Sequence, residues 1–408
     1  MNNRQTGNAY EQMAAEYLQK KGMIILDRNF RRGRNGEIDI VGRDGKYLVF
    51  VEVKYRSGTA KGNAAEAVTI SKQRKICSVA DYYRCLHNYN DNTWVRYDVV
   101  AIQGEKIQWI PNAFHIIIAQ EVRDMYQLIR SKHGDKNSIQ QRQAGELEYL
   151  VFPKLEETGV VKHLFTTRTG GVSSGIYATM NLSFSRGDDP LNVMENYRRI
   201  GEVLETDPEH MVASRQTHTT NIHAVTEKDC GNGIGRASSY EDIDGLVTDV
   251  PGIALVTYYA DCVPLYFVDP VHRAIGLAHS GWRGTVAGMA ACMVLYMQEH
   301  FHSRPEELVT AIGPSICADC YEIGEDVAEQ FRGHFPEKVL QKGKTPGKYQ
   351  LDLWQANRSI LLNAGVLPEH IAVTDVCTCH NPEYLFSHRA SHGQRGNLAA
   401  FLMLKNNS

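Results

Sequence analysis

Two imidazoles, one thiol and two arginines stand in short runs that packing alone would rarely compose. Arg215-Gln216-Thr217-His218 and Ala260-Asp261-Cys262 each end on a donor, and His279 opens the run His279-Ser280-Gly281-Trp282-Arg283-Gly284. A His₂Cys set gives a tetrahedral Zn²⁺ three protein ligands and leaves one vertex open, as in a catalytic rather than a structural site. His218, Cys262 and His279 are too far apart in sequence for a zinc-finger knuckle, whose ligands come in close pairs. A lone histidine beside an apolar strand is more often a packing residue. Three such donors with polar or glycine neighbours favour a metal pocket. Arg283, and Arg168 in Thr166-Thr167-Arg168-Thr169-Gly170-Gly171, lack acidic neighbours in sequence and suit a bidentate grip on phosphate.

A rival thiol set exists. Cys317-x-x-Cys320 and Cys377-x-Cys379 could give a structural Zn²⁺ four thiolates, but the second pair is spaced more tightly than a usual knuckle. These cysteines are expected to pack, or to line the pocket.

A second constellation lies near the N-terminus. Gly36-Glu37-Ile38-Asp39-Ile40 and Phe50-Val51-Glu52-Val53-Lys54 place charges inside apolar strands, with the hairpin signal Asp44-Gly45 between them. A two-residue turn there pairs Arg43 with Lys46, Asp39 with Phe50 and Glu37 with Glu52. Strand alternation then puts Glu37, Asp39, Glu52 and Lys54 on one face. Opposed carboxylates repel unless a divalent cation such as magnesium or manganese sits between them. Lys54 beside that ion could stabilise a developing phosphate charge or orient an attacking water.

The elements that must position these residues are mixed. Ala9, Met13, Ala14, Tyr17 and Leu18 recur at helical spacing. Strand-like runs follow at 23–26, 37–41 and 47–53, then a helix over about 64–86 and a hairpin over 95–110. Downstream, apolar strands at 253–257, 265–268 and 275–278 alternate with helical stretches near 192–205, 284–300 and 354–364. The fold class is α/β in two domains, 1–121 and 147–408. The polar stretch from Ser131 to Gln143 is expected to lie in an exposed linker over 122–146. Gly231-Asn232-Gly233-Ile234-Gly235 has the wrong spacing for a dinucleotide-binding turn and reads as a loop.

With 408 residues, more than one core is expected. No run of about 18 apolar residues predicts a membrane span. Nine cysteines without a framework pattern, and an N-terminus lacking a signal-peptide stretch, predict a cytoplasmic protein with reduced thiols. The net charge of −3 is unevenly spread: the first 120 residues hold 18 Lys+Arg against 12 Asp+Glu, leaving the remainder acidic. A basic first module is compatible with a polyanionic partner, DNA or RNA.

The Asp39…Glu52-x-Lys54 spacing resembles the metal-binding signature of restriction-endonuclease-like folds. With Gly7, Glu11, Arg28-Asn29-Phe30, Lys72-Gln73 and Arg96–Val100, the region 4–117 resembles the YraN family, an endonuclease-like group of unassigned substrate. The resemblance implies a mixed sheet flanked by helices, with Asp39, Glu52 and Lys54 at the nuclease centre.

The region 147–405 resembles the YfiH family, also called the laccase-domain family. The match runs through Phe165–Gly171, Met180–Ser183, Gln216–His218, Asp242–Gly245, Ala260–Pro264, His279–Gly284, Gly313–Ile316, Cys320–Glu322 and Cys377-Thr378. It implies a zinc-dependent purine nucleoside phosphorylase with adenosine deaminase activity, taking adenosine, inosine, guanosine or methylthioadenosine with phosphate. It maps the zinc ligands onto His218, Cys262 and His279, adds Arg283 and Arg168 to the catalytic set, and puts Asn181, Gln216 and Asp261 at the substrate. Copper-dependent polyphenol oxidation ranks lower, since three donors fall short of a multicopper cluster. Two more readings compete with it: peptidoglycan-precursor editing by hydrolysis on the same metal, and a non-enzymatic nucleic-acid-binding scaffold. Gly393-Gln394-Arg395-Gly396-Asn397 departs from the family's Thr-Gly-Arg motif, and its arginine is given no role.

Overall fold

A computed structural model describes residues 3–31, 36–56, 70–87, 89, 93–104, 106–114 and 127–406. The chain divides after Gln127 into two compact units.

The first unit is one mixed sheet with helices α1 (Asn3–Lys20) and α2 (Ile70–Leu86). Its strands are β1 (Ile24–Arg31), β2 (Glu37–Asp44), β3 (Tyr47–Arg56), β4 (Val95–Gln103) and β5 (Lys106–Phe114), paired in that order. All pairs are antiparallel except β3–β4. Alternation along β3 explains the two faces. Val49 and Val51 pack with Ala14, Ala15 and Leu18 of α1, while Leu48 and Phe50 pack with Ile76, Val79, Ala80 and Tyr83 of α2. The expected start of the second helix, 64–69, lies outside the described residues.

The β2–β3 turn corrects the expected register. Asp44 pairs with Tyr47 and Val41 with Phe50, so the loop is Gly45-Lys46, with Gly45 in the left-handed region at φ +57°. Arg96 holds Asp44 in the ladder through a 2.7 Å ion pair. The ladder ends at Ile40↔Val51, so the expected pairs of Asp39 with Phe50 and Glu37 with Glu52 are not in it; Asp39 meets β3 through the Val53 N–H instead.

In the second unit the strands are β6 (Gln140–Ala144), β7 (Leu147–Val151), β8 (Val161–Thr166), β9 (Met211–Ala213), β10 (Ile222–Ala224), β11 (Gly245–Thr248), β12 (Ala254–Tyr259), β13 (Val263–Asp269), β14 (Ala274–Ser280) and β15 (Val309–Ile312). A small sheet of β16 (Glu322–Ile323), β17 (Leu340–Lys342) and β18 (Tyr349–Leu351) follows, then β19 (Ile371–Val373) and β20 (Leu398–Leu404). Two six-stranded sheets result, ordered β6-β7-β8-β20-β12-β9 and β10-β11-β14-β13-β15-β19. Strands β13 and β14 are buried along their whole length, which is why they read as continuous apolar runs. Tyrosines tie the sheets together: the Tyr259 hydroxyl donates to the Ala278 carbonyl (2.9 Å) and that of Tyr266 to the Leu164 carbonyl (3.3 Å).

The expected linker is corrected from residue 128 onward; residues 122–126 lie outside the described set. Gln140–Ala144 is a strand paired with β7, and Arg130, Asp135 and Ser138 bond to residues 373–375. Their polar groups bond to the fold while several of the side chains also stay exposed to water. Among the described residues no helix is long and apolar enough to cross a membrane.

A candidate metal centre and the cavity beside it

Chain topology, not sequence proximity, assembles the His₂Cys set. Cys262 sits in the turn Ala260–Cys262, where the chain leaves β12 in one sheet and enters β13 in the other. His279 lies near the end of β14, the neighbour of β13, and is 3% exposed. His218 lies in the loop between β9 and β10 with φ +69°. One donor atom from each falls within 4.8 Å of the others. The Cys262 Sγ to His218 Nε2 distance is 3.9 Å, and the two imidazole rings stand edge to face, 4.8 Å apart.

Asp244 organises this set and was missed in the sequence. Fully buried at the head of β11, its carboxylate accepts the backbone N–H groups of Thr217, His218 and Thr219 at 2.9–3.1 Å. It also bonds His279 Nδ1 at 2.7 Å, so Nε2 of His279 is the atom left for a metal. One carboxylate thus fixes the His218 loop and the His279 ring. Its sequence signal was the Ile243-Asp244-Gly245 run at a strand start, which nothing in composition distinguished from a turn. Gly281 is required for space: a Cβ there would stand 2.8 Å from His218 Cδ2 and 3.2 Å from Cys262 Sγ.

The electrostatics suit a thiolate ligand. Burial would raise the Cys262 thiol, but the His279 charge and hydrogen bonds from both histidines outweigh it and bring it down to about 6. Burial opposes protonation of His279, yet Cys262 and Asp244 push it up to about 9. Burial also opposes ionisation of Asp244, but the bond to His279 and the loop N–H groups hold it below the usual carboxylate range. Two imidazoles and a readily ionised thiol fit a metal ion of Zn²⁺ character, with Asp244 in the supporting position that histidine ligands ordinarily have.

A cavity of about 830 Å³ opens beside the donors, lined among others by Phe184, Arg186, Gln216, Ile234, Tyr258 and Arg395. Gly233 and Ile234, in the loop expected at 231–235, form part of its wall. Arg395 is the cation that the sequence left without a role. It is 8% exposed, its Nε has no hydrogen-bond partner, and it bonds Gly396 and Asn397 rather than any carboxylate. Burial and nearby Arg186 lower its pKa to about 10. A buried guanidinium without an anion is costly, so the position favours an anionic guest.

Other expected residues are placed differently. Arg168 is not among the residues lining this cavity; it donates to the carbonyls of Ala178 (3.1 Å) and Pro382 (2.7 Å) and lies over the Phe386 ring. Arg283 is exposed over the Trp282 ring and likewise absent from the lining. Asn181 is fully buried and bonds Ser183, Asp188 and the Asn397 N–H. Gln216 lines the cavity, but its amide is engaged with the Tyr258 backbone. Asp261, at φ +88°, accepts from Thr378 Oγ1 and the Arg389 N–H. Of these three only Gln216 is among the residues lining the cavity. Of the rival set, Cys317, Cys320 and Cys377 converge, with His380 rather than Cys379 as fourth donor.

In the first unit, Asp39 (8% exposed) and Glu52 (3%) are buried carboxylates. Glu52 Oε1 takes ion pairs from Lys54 (2.8 Å) and Lys72 (3.2 Å), while its buried Oε2 has no partner. Asp39 Oδ2 accepts the Val53 N–H at 2.7 Å, and burial together with Glu52 raises its pKa to about 7. Glu37 is drawn away to Arg31 in an exposed 2.6 Å pair. Lys72 and Glu11, whose buried Oε2 is also unpartnered and whose charge acts on Asp39, extend the site beyond the hairpin.

Fold and donor set together define a two-unit α/β fusion with one oxygen-rich site and one His₂Cys site. The model of the family described as multi-copper polyphenol oxidoreductase laccase matches residues 162–405, so the chain belongs to that family. Residues 10–102 match the uncharacterised protein family UPF0102, to which the first unit corresponds. Purine nucleoside phosphorylase YlmD of Geobacillus stearothermophilus is 42% identical over 240 residues, 58% of this chain and 88% of that protein. Adenosine deaminase RL5 from an unknown prokaryotic organism is 34% identical over 249 residues, 60% of this chain and 94% of the relative. The crystal structure of YlmD from Geobacillus stearothermophilus superposes with a TM-score of 0.61 at 37% identity, covering 65% of this chain and 99% of that one.

Proposed function

We propose that the second unit is a purine nucleoside phosphorylase that also deaminates adenosine, with Zn²⁺ held by His218, Cys262 and His279. The observation that carries the reading is the joining, in one cavity, of a His₂Cys donor set with a buried guanidinium at Arg395 that no carboxylate pairs. Names of relatives support the substrate class. When bound, the zinc would supply Lewis acidity beside the reacting sugar and purine. About 830 Å³ is ample for a nucleoside and a phosphate.

Arg395, with Arg186 at the mouth, would hold the phosphate dianion and neutralise part of its charge. Held this way, an oxygen of hydrogen phosphate attacks C1′; the C1′–N9 bond breaks, its electron pair passes to the purine, and the proton that the phosphate loses ends on the departing base. Arg168 is held by the carbonyls of Ala178 and Pro382 and Arg283 lies exposed over Trp282, so the reading rests on neither. The same reading places the protein in a reducing cytoplasm, where Cys262 stays a thiol; the described cysteines are all free. Incubating the purified protein with adenosine and phosphate should release adenine and ribose 1-phosphate. Loss of both products in Cys262→Ser supports the reading, and undiminished turnover in that variant would overturn it.

A second reading concerns the first unit. The unpartnered Glu52 Oε2 beside Asp39 favours a Mg²⁺- or Mn²⁺-dependent nuclease centre acting on DNA or RNA, with Lys54 beside the scissile phosphate. Mg²⁺-dependent cleavage of branched or single-stranded DNA that vanishes in Glu52→Ala is its test.

A further inference from the structure

The loops after β15 and β19 carry a second donor cluster that the nucleoside chemistry does not use. These two strands are parallel neighbours, so their following loops leave the same end of the sheet side by side. Ser315 bridges Cys377, and the Thr378 N–H donates to the Ser315 carbonyl at 3.1 Å. This juxtaposition brings Cys317 and Cys320 of one loop against Cys377 and His380 of the other. Their four donor atoms all lie within 4.8 Å of one another. Cys317 and Cys377 are 1% and 0% exposed.

We propose that Cys317, Cys320, Cys377 and His380 form a closed tetrahedral site for a second, structural Zn²⁺. Metal–sulfur bonds of about 2.3 Å and metal–nitrogen bonds of about 2.0 Å make the edges of such a tetrahedron roughly 3.5–3.8 Å. Cys317 Sγ and His380 Nδ1 are 3.8 Å apart, within about 0.3 Å of the sulfur–nitrogen edge. Four donors leave no vertex for water or substrate, unlike the three at Cys262. Thiols gathered for packing alone need no imidazole among them, and Cys377 Sγ already accepts the Cys317 N–H at 3.3 Å, as metal-bound thiolates commonly do. Cys379 bonds to Cys320 and stands just outside the set.

The site would also staple the turn that carries Cys262. The Ile316 N–H donates to the Asp261 carbonyl (3.0 Å), and Thr378 Oγ1 donates to the Asp261 carboxylate (2.6 Å). Each clamped loop therefore holds the residue preceding Cys262, which sits in an unfavourable left-handed conformation.

The proposal does not rest on the assigned nucleoside chemistry, and the full-length Cys262→Ser variant separates the two. That protein, shown folded by circular dichroism, should retain one equivalent of zinc after dialysis. Replacing the zinc with Co²⁺ should give an intense near-ultraviolet thiolate-to-metal charge-transfer band, which carboxylate ligands in the first unit cannot produce. Cys317→Ser should abolish the band in the same background, and His380→Ala, which keeps all three thiols, should weaken it by about tenfold in cobalt affinity. Folded Cys262→Ser protein with neither bound zinc nor the cobalt band would overturn the proposal. If Cys262→Ser does not fold, zinc in the otherwise wild-type protein must fall by one equivalent on Cys317→Ser, and a zinc content unchanged by that substitution would equally overturn it. One equivalent lost only on Cys317→Ser would uphold this site and sink the His₂Cys reading instead.

Discussion

The two candidate centres meet the same difficulty, ionisable groups buried together, and resolve it in opposite ways. At Asp39 and Glu52 the groups carry like charge, and two lysines converge on one oxygen of Glu52 while its other oxygen stays unpartnered. The strain is relieved by a proton on Asp39 or by a cation. At Cys262 the groups are complementary: thiol, imidazoles and Asp244 stabilise one another's charged forms. The first centre is defined by what it lacks, the second by an organiser it already has. Preorganisation, more than ligand count, separates a site whose chemistry can be proposed in detail from one that is only poised for an ion.

If Asp244 is that organiser, Asp244→Asn should damage the second centre far more than its distance from substrate suggests. The amide keeps the shape but loses the charge facing His279 and three backbone N–H groups. Metal affinity and turnover should fall about 10- to 100-fold, read by zinc competition titration and nucleoside turnover. Cation binding in the first unit should not change. An equal effect on both units would mean a general loss of folding and would dissolve the contrast.

Arg395 sharpens it from the other side. Its guanidinium is kept buried without a carboxylate, so Arg395→Met should raise KM for phosphate by about tenfold or more, while leaving Tm unchanged or higher. Measuring phosphate KM beside thermal melts checks both signs. A variant with unchanged KM and lowered Tm would make Arg395 a packing residue and remove the anion from the site.

How much of this was legible follows the same division. The Asp39–Glu52 pair lies within one hairpin, so two neighbouring strands were enough to suggest that the carboxylates are close, as the effect of Glu52 on Asp39 shows. The turn itself was misread by one residue on each strand, because Arg96, 52 residues away in sequence, keeps Asp44 in the ladder. The three donors at Cys262 were legible as residue types, but their meeting depends on a crossing between sheets that no local pattern encodes. Asp244 and Arg395 stood in segments already singled out, Asp242–Gly245 and Gly393–Asn397, but their roles stayed unread for that reason: each acquires its role only from partners brought by distant strands. Arg168 and Asn181 show the opposite case. A hydroxyl-rich loop suggested anion contact for Arg168 and the family resemblance suggested substrate contact for Asn181, while in the fold both side chains are bonded to distant parts of the chain. The polar stretch after Ser131 looked like a linker because its partners, residues 373–376, come from the far end of the chain.

The smallest effect tests the first centre through its proton. Asp39 is raised to about 7, above the ordinary carboxylate value of 3.8, by burial and by Glu52. Its neutral form therefore favours the folded unit; that contribution is complete below the unfolded value and is lost as pH rises from about 4 to about 7. Cation binding must run the other way, since a metal ligand has to be deprotonated. With one proton displaced at a pKa near 7, apparent Mg²⁺ or Mn²⁺ affinity should rise about tenfold between pH 6 and pH 8 and then level off. Calorimetric titration of the full chain across that range measures it, and Asp39→Asn should flatten the profile while weakening binding. A flat profile in the wild type would mean that Asp39 does not reach the ion. The two centres would then differ in kind, the first an ion-paired hairpin with no metal chemistry of its own.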